Sequence, residues 1–263
     1  MFFAFRLKAV PRTLPFPKKG PADRRRISFV DMFMRSKHGI AMMTAPSFWI
    51  EANVLTVREC NDLTEALSQD PKMRSRAGAR HLMANPFVAA LTADDRLLQI
   101  ARRALGEKAI PFRATLFEKS ARANWFVVWH QDTALPLVSR FDSREWGPWS
   151  TKVGIHYAHA PTWALSRVVA LRVHLDESTN ENGPLRVIPG SHAAGVLTDE
   201  QVFQIARTQE SAECLVPRGG ILAMRPLLIH SSSKARLAQP RRVLHIEYAD
   251  SLDLDSNIHL AVA

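Results

Sequence analysis

After about residue 112 the chain stops repeating at helical spacing and breaks into short strand-like runs, and this change constrains the fold more than any other feature. The runs are Asn124–Asp132, Arg167–Asp176, Leu185–Ile188, Ile221–Met224, Leu227–His230 and Arg241–Ala249. Turn formers separate them: Asn182-Gly183-Pro184, Pro189-Gly190, Gly219-Gly220 and Pro240. From about 44 to 110 the chain reads as mainly helical. Leu63, Ala66 and Leu67 follow Glu59 and Asn61 at helical spacing. Leu97, Leu98, Ile100, Ala101 and Leu105 mark one side of a helix from Asp94 to Leu105, with Gly106 as its stop. Residues 199–210 read as a short helical insert. Helices followed by a block of strands predict a mainly β fold with flanking helices, a barrel or sandwich with the helices packed outside. There are no internal repeats.

Two of the runs have unlike faces. In Arg167–Asp176, Val169, Leu171, Val173 and Leu175 alternate with Arg172, His174 and Asp176. In Arg241–Tyr248, Leu244, Ile246 and Tyr248 alternate with Arg241, Val243, His245 and Glu247. A surface strand alternates in this way, and so does a strand lining a small barrel that holds a charged ligand.

The formal charge of +10 suggests nucleic acid until it is located. Residues 1–40 hold ten basic groups against Asp23 and Asp31, a net +8, which leaves +2 for the other 223 residues. The basicity belongs to a tail rather than to a binding face, so no nucleic-acid partner is expected. Residues 1–43 form a basic, Pro-rich segment without a period, expected to be disordered, and 44–263 form the folded domain. An upstream start codon or a transit peptide are the other readings of the first segment; its apolar residues precede its charges, the reverse of a secretory signal. No run of about 18 apolar residues occurs, so no membrane span is expected and the location is read as cytoplasmic. Cys60 and Cys214 give neither a disulfide framework nor a thiolate site, so any bound metal must take His, Asp or Glu.

His130 and Asp132 stand two apart after the apolar run Trp125-Phe126-Val127-Val128-Trp129, which places both on one strand face. With a second His from another strand they would make a facial triad with open positions, and His230, ending Leu227-Leu228-Ile229-His230, is the candidate. His174-Leu175-Asp176 has the same form; its entry into the Asn182-Gly183 turn favours a structural or pocket-lining role, but spacing does not choose between the two.

Trp129-His130-Gln131-Asp132 resembles the metal motif of the phytanoyl-CoA dioxygenase family, and Asn182 to His192 resembles the turn and strand between that family's metal motifs. His230-Ser231-Ser232 followed by Pro240-Arg241-Arg242 is similar to its distal metal and co-substrate motif. The resemblance covers about residues 44–250. It implies a double-stranded β-helix (a jelly-roll, cupin-like barrel), Fe(II), 2-oxoglutarate as co-substrate and O2, with release of succinate and CO2. His130, Asp132 and His230 match the iron ligands, Arg241 the arginine on the distal carboxylate of 2-oxoglutarate, and Ser232 a hydroxyl supporting that carboxylate. A planar guanidinium suits bidentate carboxylate recognition, and alternation prefers Arg241 over Arg242, which points to the Leu244 side. Arg172 and Lys119 are further candidates for the co-substrate pocket, each with a solvated surface role as its alternative. Asp132 occupies the ligand position that related halogenases leave to halide, which favours hydroxylation.

Between the metal motifs, Ser139–Ala160 carries Trp146, Trp149, Lys152, His156, Tyr157 and His159 in a Gly/Pro-broken stretch. It reads as a substrate lid or as an aromatic cover on the barrel mouth, with Trp149, His156 and Tyr157 as the candidates facing a small-molecule substrate. A differently active metal-binding barrel and a non-catalytic binding protein are the competing readings. Neither the substrate, including whether it is a CoA thioester, nor the oligomeric state is legible.

Overall fold

The computed structural model describes residues 46–69, 74–75, 78–120, 123–237 and 239–263, so the basic segment 1–43 lies outside the described residues. The chain begins with β1 (Phe48–Glu51), α1 (Val57–Ser68), β2 (Arg74–Ser75), β3 (Gly78–Ala79), α2 (Pro86–Thr92) and α3 (Asp95–Leu105). It continues with β4 (Ile110–Lys119), β5 (Val127–His130), β6 (Ala134–Leu137), β7 (Trp149–Lys152), β8 (Ile155–His159), α4 (Thr162–Leu165), β9 (Val168–His174) and β10 (Leu185–Val187). It ends with α5 (Asp199–Thr208), β11 (Ala212–Cys214), β12 (Ile221–Met224), β13 (His230–Ser232), β14 (Arg241–Ala249), β15 (Asp253–Asp255) and β16 (Ile258–His259).

Local chemistry sets the helix ends. Thr56 caps α1 with a reciprocal bond to Glu59, Asn85 caps α2 with Pro86 in its first turn, and Asp94 caps α3, which stops at Gly106. Thr198 and Gln201 form the same reciprocal box on α5. Such a cap stabilises a helix by roughly 1 kcal/mol, too little to hold one without packing.

A large sheet runs β1-β12-β9-β14-β4-β3-β2 and a smaller one β11-β10-β13-β5. Leu171, Val173, Leu244, Ile246 and Tyr248 on the outer face of the large sheet pack with Leu63 and Leu67 of α1, Val88 and Leu91 of α2, and Leu97 and Ile100 of α3. On the inner face, Ala170, Leu222 and Met224 meet Leu185, Val187 and Cys214 of the smaller sheet. The two sheets therefore face each other across a shared interior, the jelly-roll architecture expected. Each fully buried aliphatic side chain contributes about 1.5–3 kcal/mol.

Several boundaries differ from the sequence reading. The region 44–110 is not helical throughout, because β1 pairs with β12 and β2–β3 extend the far edge of the large sheet through β4. Leu227–Ile229 do not form a strand: Leu228 donates its N–H to Arg225 in a turn, and pairing starts at His230. The broken stretch 139–160 carries two strands, β7 and β8, which join β6 in a third sheet, β6-β8-β7. Among the described residues no helix is long and apolar enough to cross a membrane.

Candidate metal centre

His130 and His230 are register partners on β5 and β13, and Asp132 follows β5 by two residues. Their rings lie 4.2 Å apart between centroids. Asp132 Oδ1 is 3.7 Å from His130 Nε2, and its Oδ2 is 3.6 Å from His230 Nε2. One ligand atom from each residue lies within 4.8 Å of the others. His130 Nδ1 is 2.8 Å from the Val128 carbonyl, and His230 Nδ1 is 2.9 Å from the Leu228 carbonyl. A carbonyl only accepts, so both Nδ1 atoms carry the hydrogen and both Nε2 lone pairs face Asp132. That tautomer is the one a divalent metal needs.

The residues between and around the ligands hold them in place. The Asp132 N–H donates to the Pro226 carbonyl at 3.0 Å. Gln131 donates to the Gly195 and Leu227 carbonyls and accepts from the Leu197 N–H. Ser191, in the Asn182–His192 stretch, accepts the Ile229 N–H at 2.8 Å, one residue before His230. Burial and the neighbouring His130 push the His230 imidazole down to about 3, which keeps it neutral. Burial opposes charge on His130 and on Asp132 too, but attraction wins: Asp132 raises His130 above its ordinary value, and His230, then His130, hold Asp132 well below the usual carboxylate range. The set is thus a carboxylate and two imidazoles poised for one cation, with the donor types that suit iron in a 2-His-1-carboxylate site.

Next to it lies a pocket of buried cations. Lys119 on β4 and Arg241 on β14 are register partners, and Arg172 on β9 pairs with His245 on β14. Lys119 Nζ donates to Ser232 Oγ at 2.7 Å and to the Ser233 carbonyl. Ser232 Oγ also accepts from Arg241 at 3.4 Å and donates to the Gly183 carbonyl at 2.9 Å. Gly183 has φ +69°, and a Cβ there would stand 2.3 Å from the Ser233 carbonyl oxygen and 3.2 Å from Lys119 Nζ, so the pocket wall admits only glycine. Buried Asn182 closes the same turn through the Thr179 N–H and the Glu177 carbonyl.

Lys119, Arg172 and Arg241 have no carboxylate among their hydrogen-bond partners, and Nε of Arg172 and of Arg241 has no partner among the described residues. Burial, then Arg241 and Arg172, lowers Lys119 to about 7; burial and Arg172 lower Arg241 to about 9. Three desolvated cations that repel one another are unfavourable unless an anion joins them. The orphaned donors and the excess charge fit a dicarboxylate.

Arg242 points the other way: its guanidinium and N–H bind Asp176 at 2.7 and 2.9 Å. That pairing also separates the second His-x-Asp. Asp176 is committed to Arg242, while His174 turns inward, bonds Ser178 at 3.0 Å and keeps a buried, unpartnered Nε2. Burial, then Arg172 and Arg241, holds His174 well below its ordinary value, so it lines the cation pocket as a neutral ring.

The third sheet divides the substrate candidates. Trp149 and His156 share the face of Leu135 and Leu137, where Trp149 packs edge-on to Phe141 and His156 bonds Thr151. Tyr157 and Lys152 take the opposite face, and Tyr157 meets His81 and Arg113 there. The sequence reading missed this group and the buried chain behind it. Arg172 donates to His245 Nδ1 at 3.1 Å, His245 Nε2 is 3.4 Å from Glu247, and Glu247 binds Arg113 at 2.6 Å. The alternation of β14 was its one visible signal, because it put His245 and Glu247 on the face of Arg241.

A family model described as phytanoyl-CoA dioxygenase matches residues 62–243. The L-proline trans-4-hydroxylase of Streptomyces griseoviridis is 29% identical over 178 residues, 58% of this chain and 59% of that protein. The ectoine dioxygenase of Sphingopyxis alaskensis is 29% identical over 131 residues, 48% of this chain and 36% of that protein. The chain thus spans less than two thirds of either curated relative. The crystal structure of EctD from S. alaskensis with 2-oxoglutarate and 5-hydroxyectoine superposes with a TM-score of 0.59 at 21% identity, covering 78% of this chain and 72% of that one. At that identity the likeness speaks for the fold, which is that of the double-stranded β-helix.

Proposed function

The chain belongs to the phytanoyl-CoA dioxygenase family, and on that footing we propose that it is an iron(II)- and 2-oxoglutarate-dependent oxygenase that hydroxylates a C–H bond of a small molecule, releasing succinate and CO2. One observation carries the reading: an open His130–Asp132–His230 triad, with both Nε2 lone pairs turned to the carboxylate, adjoins a buried cation pocket that lacks its anion.

His130, Asp132 and His230 would hold the iron. Arg241 and Lys119, gathered on Ser232, would receive the distal carboxylate of 2-oxoglutarate, and Arg172 would neutralise charge on the metal side of the same molecule. When bound, iron with 2-oxoglutarate and O2 supplies the oxidising power for the C–H bond. The protein's own contribution is placement and dryness. Leu185, Val187, Leu222 and Met224 seal the barrel floor, and the Nδ1 bonds to Val128 and Leu228 fix each imidazole before the metal arrives. Tyr157 is the aromatic on the substrate side, while Trp149 and His156 brace its hairpin from behind. The relatives named above, a proline hydroxylase and an ectoine dioxygenase, support a small-molecule substrate.

Anaerobic titration with Fe(II) and 2-oxoglutarate tests the reading through the visible charge-transfer band of the chelate. Wild-type protein is expected to show the band, His130→Ala to lose it, and Arg241→Ala to need far more 2-oxoglutarate. Folded wild-type protein without a band would overturn the assignment.

A further inference from the structure

The wall of the barrel mouth beside the triad has a charge pattern of its own. Tyr157 sits at its centre, on the same face of the third sheet as Lys152. Lys152 Nζ lies 4.5 Å from the Tyr157 ring centroid, the Arg113 guanidinium 5.9 Å, and the His81 imidazole bonds the Tyr157 hydroxyl at 2.9 Å. β6, which pairs with β8, starts two residues after Asp132, so this wall grows directly out of the metal strand.

Charge is not balanced there. Arg113 is neutralised by Glu247 at 2.6 Å. Lys152 is half-buried, and its ammonium has no hydrogen-bond or carboxylate partner among the described residues and lies over the ring. Arg80 is exposed, adjoins His81 and has no acid partner among the described residues. The two cations sense each other and the same groups: burial, then Arg80 and Arg113, depress Lys152 to about 8 while Asp132 pulls the other way, and burial, Arg80, Arg113 and Lys152 depress His81. A cation–π contact offsets only part of the cost of holding an ammonium out of water.

The backbone on both sides of the ring is held in an unusual conformation. Val153 and Gly154 form the β7–β8 turn with φ of +50° and +80°, and His81 has φ +59°. A β-branched residue resists positive φ, and Asn or Gly ordinarily takes the first place in a turn of this kind. Val153 is 78% exposed, so core packing does not explain its presence. The strained residue sits next to Lys152, at the tip of the hairpin that carries it.

We propose that Lys152, over the Tyr157 ring, and the exposed Arg80 beside His81 form a carboxylate-binding subsite that orients a small acidic substrate with its far end toward the His130–Asp132–His230 centre. The inference rests on the oxygenase reading and narrows its substrate to organic acids. Two uncompensated cations match a single carboxylate, whereas a polyphosphate-bearing thioester would call for more. The aromatic face gives the apolar part of the acid a surface to lie on, and Arg80 at the rim would steer the anion inward.

The probes are L-amino acids and simple monocarboxylates, each paired with its own carboxamide. They are added anaerobically to protein carrying Fe(II) and 2-oxoglutarate, and the shift of the charge-transfer band reports binding near the metal. Acids are expected to shift the band and amides to fail. Lys152→Met is expected to weaken acid binding by about tenfold or more, the worth of a charge-assisted bond, and Lys152→Arg to restore most of it. Arg80→Gln, at an exposed position, repeats the test should the hairpin variant not fold. Amides binding as well as acids, no acid shifting an existing band, or acids bound equally by Lys152→Met and Arg80→Gln would each overturn the subsite. Absence of the band itself in wild-type protein would instead overturn the oxygenase reading beneath it.

Discussion

On β9 and β14, Leu171, Val173, Leu244 and Ile246 face the helices, whereas Arg172, His174, Arg241 and His245, at positions of the opposite parity, face the barrel interior. Both sets are buried. The outer set gains stability from water exclusion alone. The inner set loses hydration for its cations and recovers only part of it through Ser232, His245 and neighbouring carbonyls. The same strands therefore carry a stabilising face and a face that is costly until a ligand arrives. Binding sites are bought with stability in this way in many proteins.

That contrast gives opposite expectations for matched substitutions. Leu244→Ala should lower the unfolding free energy by about 2–5 kcal/mol in urea titrations while leaving the 2-oxoglutarate affinity of the folded protein nearly unchanged. Arg241→Met should weaken 2-oxoglutarate by about 2–5 kcal/mol, yet unfold at the same or higher urea without it, because it removes a desolvated, repelled charge. An Arg241→Met protein as unstable as Leu244→Ala would break the comparison.

Lys119 sharpens it through pH. Its pKa stands near 7 in the fold against an ordinary value of 10.5, so the unfolded chain holds more protons between these limits. Stability of the ligand-free protein should rise with pH across that window, and the Lys119 penalty is full below about 7. Bound 2-oxoglutarate restores the charge, so binding takes up a proton above pH 7. Affinity should then fall as pH rises from about 7, by at most about tenfold per unit. Calorimetry in buffers of different ionisation heat would detect the proton, and Lys119→Met should flatten the slope.

The smallest effect belongs to Arg242. Its pair with Asp176 lies at the partly buried edge of the outer face, where Asp176 also keeps the Arg242 N–H as a donor. Arg242→Met should cost about 1 kcal/mol or less and leave 2-oxoglutarate affinity within about twofold. A large loss of affinity would mean that the two neighbouring arginines had been assigned the wrong way round.

Legibility followed the range of the interactions. Ile221–Met224 and Arg241–Ala249 are strands at the expected residues, and α3 runs from its Asp94 cap to its Gly106 stop, because alternation, caps and glycines act within a few residues. β1 was missed because four residues with one partner strand, β12, carry no local period long enough to read. Trp149 and His156 were grouped with Tyr157 by composition, but a hairpin separates them by parity, and its register was not visible until β7 and β8 were paired.

By itself the sequence determined which residues share a face, since a period of two is local, and it placed the His130, Asp132 and His230 motifs in recognisable order. The tertiary structure decided which face is the interior and which side chains meet there. Lys119 beside Arg241, Arg172 against His245, and Lys152 over Tyr157 with His81 and Arg113 around it depend on long-range pairing and on how the sheets close, and no local pattern encodes that.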